Sequence, residues 1–191
     1  MTAVGVVLAA GAGTRFGSPK AEVRVDGERL LDRAIGVLRA GGCAEVVAVV
    51  RAGVEVAGAT AVVNPDPDRG MSSSLWLGLD AAAEASAGVA VILLVDLPGV
   101  PSDAVMGVLG AHDAGAMVAV ATYAGTRGHP VAFDRACWAE VAAAARGDNG
   151  ARAYLAAHPD QVIEVACVGE SLDVDTPADL EAWAARKPPP R

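Results

Sequence analysis

The chain of 191 residues has only three cysteines, Cys43, Cys137 and Cys167. Their odd number, wide spacing and lack of any Cys-x-x-Cys pair read as a reduced, cytoplasmic protein without a disulfide framework or a cysteine zinc site. Aromatic residues are scarce, at 4%. With 53% hydrophobic residues the core must therefore be built from Ala, Val and Leu. Cationic excess is missing too: 15 Lys and Arg stand against 23 Asp and Glu, a formal net charge of −8. That balance, with no basic stripe, disfavours nucleic acid and anionic membrane surfaces as partners. No apolar run is long enough to span a bilayer. The opening VGVVLAA has no basic segment before it and runs straight into glycines, so it does not read as a secretory leader.

What is present is an alternation of two patterns. Short Val- and Ile-rich runs at residues 4–9, 46–50 and 89–95 are bounded by Gly, Asp or Pro, the pattern of buried parallel strands. Between them apolar residues recur at helical spacing, as in Leu30, Leu31, Ala34, Ile35 and Leu38, in Leu75, Leu79, Ala82 and Ala83, and again over 103–109. Further strands are expected at 117–121, 130–133 and 162–167. A last helix is expected at 177–185, with Thr176 as its N-cap and Pro177 in its first turn. The expectation is an α/β fold, a single domain over residues 1–186 with a mostly parallel sheet covered on both faces. The tail KPPPR, 187–191, is expected to fray.

Two stretches carry chemistry. In VVLAAGAGTRFGSPK a strand runs into Gly11, Gly13 and Gly17, followed or interleaved by Arg15 and Lys20. Glycines let backbone N–H groups approach an anion, and the cations point to phosphate. It is not a Walker A loop, because no Gly-Lys-Ser/Thr follows, and its last gap is too long for the dinucleotide fingerprint. The plain alternative is a turn with two solvated cations. In VILLVDLPG a strand ends in Asp96, where open α/β sheets bind ligands and where a carboxylate suits Mg²⁺ between phosphates. The plain alternative is a turn or helix-capping aspartate.

The whole string LAAGAGTRFGSPK resembles the signature loop of the nucleotidyltransferases that activate sugars, isoprenoid precursors and pterins. Five further stretches follow in family order and resemble the MobA-like NTP transferases: NPDPDRGMSSSLWLGL, DLP, RGHPVAF, RGDNGARAYL and LDVDTPADL. The resemblance is closest to the molybdenum cofactor cytidylyltransferase branch. It implies a Rossmann-like three-layer α/β/α fold. It also implies transfer of a nucleoside monophosphate to a phosphorylated acceptor such as molybdopterin, with release of pyrophosphate. Arg15, Lys20 and Asp96 would be catalytic. Leu8, Ala9, Ala10, Gly11, Gly13, Thr14, Ser73 and Gly78 would join Arg15 and Lys20 around the nucleoside triphosphate. Ser72, Ser74, His129, Asp148 and Arg152 would face the acceptor. Asp96 and Asp175, with Asp173 as a further candidate, would hold Mg²⁺. L-A-A-G, where guanylyl enzymes tend to have L-A-G-G, favours CTP, because a methyl near the base leaves less room for a purine. For a phosphate nucleophile, already ionised at neutral pH, His129 is expected near the site without general-base duty. Transient contact with molybdoenzymes or their chaperones is a further implication. The alternatives are a guanylyl, uridylyl or sugar-phosphate enzyme on the same scaffold, or a nucleotide- or pterin-binding maturation protein without turnover. Each serine has an equally good plain role in capping its helix, Thr176 and Asp179 likewise, and Asp148 could simply pair with Arg152.

Overall fold

A computed structural model describes residues 2–186; the expected frayed tail lies outside the described residues. In chain order the elements are β1 (Ala3–Ala9), β2 (Arg24–Val25), β3 (Glu28–Arg29), α1 (Leu30–Ala40), β4 (Glu45–Val50), β5 (Thr60–Val63), α2 (Met71–Glu84), β6 (Val89–Leu94), α3 (Ser102–Asp113), β7 (Val118–Tyr123), β8 (Thr126–Asp134), α4 (Trp138–Ala144), α5 (Arg152–Ala157), β9 (Val162–Ala166) and α6 (Pro177–Arg186). One seven-stranded sheet has the order β5-β4-β1-β6-β8-β7-β9, and β2 with β3 forms a small separate hairpin. Every pairing in the large sheet is parallel except those of β8, which runs antiparallel to both β6 and β7.

The strands are apolar on both sides because helices cover both. All seven residues of β1 are buried. Val7 and Ala9 point into a cluster with Leu31 and Leu38 of α1, Val105 and Val108 of α3, and Trp183 of α6. Val4, Val6 and Leu8 point the other way, toward Leu75 and Leu79 of α2, Trp138 and Val141 of α4, and Tyr154 of α5. This is the three-layer α/β/α arrangement expected from the alternation of patterns. Among the described residues no helix is long and apolar enough to cross a membrane.

Two elements depart from the sequence reading. β5 was not expected: it is a four-residue edge strand with mostly exposed side chains, so it carries no buried-strand pattern. β8 was expected only over 130–133, as one more strand of the series. It is longer and inverted because Ala124 and Gly125, both at positive φ, make a two-residue hairpin turn directly after β7. Its register with β7 is also broken. Val120 pairs with Val131 but Thr122 pairs with Arg127, so Gly128, His129 and Pro130 bulge out of the ladder. A bulge is where a proline fits inside a sheet.

Gly78 has a packing role, not a place on a cleft wall. It sits where α2 crosses β1, and a Cβ there would stand 2.4 Å from a methyl of the buried Val6. Gly78, expected around the nucleotide, is not among the residues that line the cleft at the strand ends. Gly78→Ala is expected to lower stability by about 1–3 kcal/mol through overpacking, in spite of alanine's better helix propensity. For a chain of this size each kcal/mol lowers Tm by about 2–4 °C. A thermal melt checks it; an unchanged Tm would show that α2 can lift from the sheet.

Candidate active site

A cleft of about 600 Å³ opens at the C-terminal ends of β1, β4 and β6, the end at which open α/β sheets receive ligands. Of the residues singled out in the sequence, Leu8, Ala10, Gly11, Gly13, Thr14, Arg15, Lys20, Ser74, Asp96, Asp148 and Asp175 line it. Ala9 is fully buried behind it.

The glycine loop folds back on itself. Phe16 and Gly17 both donate their N–H to the Gly13 carbonyl, at 2.8 and 3.0 Å. Gly13 has φ +60°, and a Cβ there would collide with the Ser18 carbonyl oxygen, so the turn demands glycine. Gly11 is different: a Cβ on it would meet nothing within 4 Å. The fold therefore does not require glycine at Gly11, whereas a ligand approaching the backbone would. Among the described residues the N–H groups of residues 11–15 have no protein acceptor, leaving unfilled donors in a loop that lines the cleft.

The charges converge at the cleft mouth. The Lys20 ammonium donates to Asp96 Oδ2 at 2.6 Å and also to Asp175 Oδ1. Arg15 Nη1 donates to Asp175 Oδ2 at 3.0 Å. Asp96 Oδ1 is buried and has no partner among the described residues, an unusual state for a carboxylate oxygen. Backbone bonds fix both acids. The N–H of Val174 donates to the Asp96 carbonyl at 2.9 Å. Asp179 Oδ2 accepts from the N–H groups of Asp175 and Thr176 and from the Thr176 hydroxyl, while Thr176 Oγ1 caps the Asp179 N–H. The expected helix cap at Thr176 therefore holds, and it also orients Asp175. The hydrogen bond from Lys20, and then the charges of Lys20 and Arg15, hold the Asp175 carboxyl below the usual aspartate value against the opposing effect of burial. Burial alone would pull the Lys20 ammonium down; the charges and hydrogen bonds of Asp96 and Asp175 hold it above the ordinary lysine value.

A second hollow of about 440 Å³ adjoins the first at Leu94 and is lined by His129, Arg152 and Asp173. Leu97, Val120, Val131 and Leu155 give it apolar walls, and Arg127 and Ser171 add polar ones. The bulge in β8 delivers His129. Tyr123 Oη donates to its carbonyl at 2.7 Å, and its own N–H donates to Ser171 Oγ at 3.3 Å. His129 Nδ1 lies 3.2 Å from the Ile92 carbonyl. A carbonyl can only accept, so Nδ1 carries the proton and Nε2 of the neutral ring holds a lone pair. Burial lowers the imidazole pKa and keeps the ring neutral.

Four expected residues fall elsewhere or act differently. Asp173 lines the second hollow, apart from the Asp96 and Asp175 pair of the first. Asp148 lines the first cleft, not the hollow with His129 and Arg152. It does not pair with Arg152 but accepts from the Met71 N–H at 3.3 Å, capping α2 across the cleft. Gly70, at φ +91°, leaves room for it. Ser72 and Ser73 line a third groove on the far side of α2's first turn. There Ser73 Oγ donates to the Gly70 carbonyl and accepts from Asn64 Nδ2. Of the three serines only Ser74 reaches the main cleft, where Asn64 Nδ2 also holds it.

Three residues not singled out from the sequence contribute. Buried Asn64 organises both serines; it opens the NPDPDRG stretch and was readable there. Arg51, the residue after β4, donates from Nε to the Ala10 carbonyl at 2.8 Å and from Nη2 to Asp68 at 2.5 Å. Its position at a strand's C-terminal end was the signal. Arg51 and Asp68 together close the cleft end opposite Asp96.

Removing the Lys20 ammonium leaves two facing carboxylates. Lys20→Met is expected to cost roughly 1–3 kcal/mol at neutral pH, between the values for exposed and buried pairs. A carboxylate held below its usual value contributes stability that is present at neutral pH and lost as pH falls through its folded value, below about 4. A lysine held above its usual value contributes stability lost only as pH rises past about 10.4. The deficit of Lys20→Met should therefore be full at neutral pH and shrink in acid as the Asp175 carboxyl protonates. Urea unfolding across pH 3 to 8 measures it, and a pH-independent deficit would contradict the charge account.

Known proteins fit this geometry. The chain matches the MobA-like NTP transferase domain over residues 5–162. It is 38% identical over 189 residues to nicotine blue oxidoreductase of Paenarthrobacter nicotinovorans, covering 90% of this chain and 91% of that protein. It is 37% identical over 98 residues to a protein of Opitutus terrae named "Probable molybdenum cofactor guanylyltransferase", covering 50% of this chain and 48% of that one. Rv0371c of Mycobacterium tuberculosis H37Rv, solved in complex with manganese, superposes with a TM-score of 0.80 at 28% identity, over 98% of this chain and 100% of that one. On the domain match and the near full-length likeness together, the chain belongs to the MobA-like NTP transferase family.

Proposed function

We propose that this protein is a metal-dependent nucleotidyltransferase that moves CMP from CTP to a phosphorylated small-molecule acceptor, of which molybdopterin or its molybdenum-loaded form is the favoured candidate. The observation that carries the reading is Asp96: a carboxylate oxygen buried without a partner, beside a second carboxylate, in the same cleft as a glycine loop with unfilled N–H donors.

The donor set suits Mg²⁺. Among the described residues no three acidic, His or Cys side chains cluster as a complete metal cage. Mg²⁺ needs none, since it is commonly held by one or two carboxylates plus substrate phosphates. Asp96 and Asp175 would supply those carboxylates. When bound, the ion would neutralise charge on the triphosphate. The manganese complex of Rv0371c supports a divalent ion on this scaffold.

The chain's own residues do the rest. The N–H row of residues 11–15 receives phosphate oxygens. Arg15 and Lys20, released from the carboxylates, follow the triphosphate and stabilise charge as it develops. An oxygen of the acceptor phosphate attacks the α-phosphorus. The bond from that phosphorus to the bridging oxygen breaks, and pyrophosphate leaves with the electron pair. The second hollow holds the acceptor with its phosphate turned toward Leu94, where the two spaces meet. Arg152 has no ion-pair partner among the described residues and is free to meet an anion, and the neutral His129 offers Nε2 to an N–H or O–H of the acceptor. Proximity supplies much of the rate. The methyl of Ala10 favours CTP over GTP, while the likeness to a named guanylyltransferase keeps GTP as the alternative base.

A second reading rests on the 38% identity to nicotine blue oxidoreductase. It requires a redox partner, such as a nicotinamide dinucleotide, in the same cleft. It leaves the unpaired oxygen of Asp96 unexplained.

Equilibrium binding of CTP, GTP, UTP, ATP, NADH and NADPH, each with and without Mg²⁺, separates the readings. Selective Mg²⁺-dependent CTP binding is expected, followed by pyrophosphate release when molybdopterin is added. A GTP preference would overturn the role given to Ala10. Binding of a reduced dinucleotide without any triphosphate would favour the redox reading, and triphosphate binding without pyrophosphate release would favour a carrier. Asp96→Ala is expected to abolish turnover with an unchanged circular dichroism spectrum; undiminished activity would remove Asp96 from the metal site.

A further inference from the structure

Asp96 and Asp175 lie on separate loops, and both loops rest on one side chain outside the cleft. Arg33, on α1, donates from Nε to the Pro98 carbonyl at 2.9 Å, two residues beyond Asp96. Its guanidinium carbon lies 5.4 Å from the centre of the Trp183 ring. Trp183 is buried on α6, the helix whose first turn fixes Asp175 through Asp179 and Thr176. Arg33 Nη1 also reaches Glu28 at 3.4 Å. The guanidinium therefore uses its edge on the Asp96 loop and its face on the helix that carries Asp175, two uses that a planar group can combine and an ammonium cannot.

From this geometry we infer that Arg33 is a positioning residue: it sets the separation of the Asp96 and Asp175 carboxylates and thereby the affinity for a divalent ion. The inference rests on the proposed metal role of that pair. Arg33 touches neither carboxylate and does not line the cleft. The direct ties between the two loops are two backbone hydrogen bonds, from the Val174 N–H to the Asp96 carbonyl at 2.9 Å and from the Glu170 N–H to the Gly99 carbonyl at 3.4 Å. Both are backbone bonds within the loops themselves; Arg33 adds a side-chain support from α1 that braces the Asp96 loop at Pro98 against α6 at Trp183.

The test is Mn²⁺ binding followed by loss of the free-ion signal in electron paramagnetic resonance, with CTP and in parallel with GTP. It uses the full-length wild type, Arg33→Met and Arg33→Lys, with Tm recorded for each. Arg33→Met is expected to weaken Mn²⁺ binding by about 10- to 100-fold, the range seen for outer partners of metal ligands. Arg33→Lys, which keeps a donor and a cation without the planar fork, is expected to fall between Arg33→Met and wild type, and it carries the test alone if Arg33→Met does not fold. A lowered Tm with unchanged Mn²⁺ affinity would reduce Arg33 to a structural role and overturn the inference. A wild type that binds no Mn²⁺ with either triphosphate would overturn the metal reading itself, and the inference with it.

Discussion

Two aspartates far apart in the chain meet at one ammonium, that of Lys20. Like charges this close repel, and a carboxylate half withdrawn from water is costly unless a counter-charge reaches it. Much of the surrounding structure serves that meeting. The short turn at Lys20–Glu22 presents the lysine and buries Ala21 beneath it. β6 carries Asp96 out of the sheet, and the cap of α6 holds Asp175. Arg15 takes the remaining oxygen of Asp175. The cluster is internally neutral in a chain of net charge −8, so a polyanion entering it meets exchangeable cations where the overall field would repel it.

The parts of this arrangement that were legible in the sequence are those set by local chemistry. Gly13 and Gly17 announced a turn, Thr176 followed by Pro177 announced a helix start, and Asp96 stood at the end of an apolar run. Strand direction was not legible, because hydropathy is the same read from either end; the inversion of β8 depends on two turn residues, Ala124 and Gly125, that carry little signal alone. The same limit applies to Asp148. Its cap on α2 joins segments far apart in the chain, and no local pattern marks such a bond. The serine run was the most misleading stretch. Three identical neighbours on a helix point about 100° apart, so they could not all serve one site, and the fold divides them between two grooves.

Arg29 shows a different kind of compensation. It stands just before α1, at the helix entry, a place that a proline with its fixed φ would also suit. Here the helix start is secured by charge instead: Arg29 forks onto Asp32, reaches Glu22 just after the lysine turn, and donates to the Glu55 carbonyl. The side-chain bonds to Asp32, and then the neighbouring charges of Asp32 and Glu22, hold its guanidinium above the usual value against burial. The entry to α1 is thus held by ties among three separate segments.

The bulge of Gly128, His129 and Pro130 has a consequence for how such a fold can diversify. Because β8 runs against its neighbours, its beginning lies beside the ends of β6 and β7, and the hollow beside the cleft is furnished by a hairpin that belongs to no crossover unit. The glycine loop and the carboxylate pair stand on β1, β6 and α6. Insertions or replacements in the hairpin can therefore reshape one chamber while the neighbouring one keeps its frame. The two chambers meet along the wall that Leu94 forms, and the segments 96–97 and 173–175 reach into both.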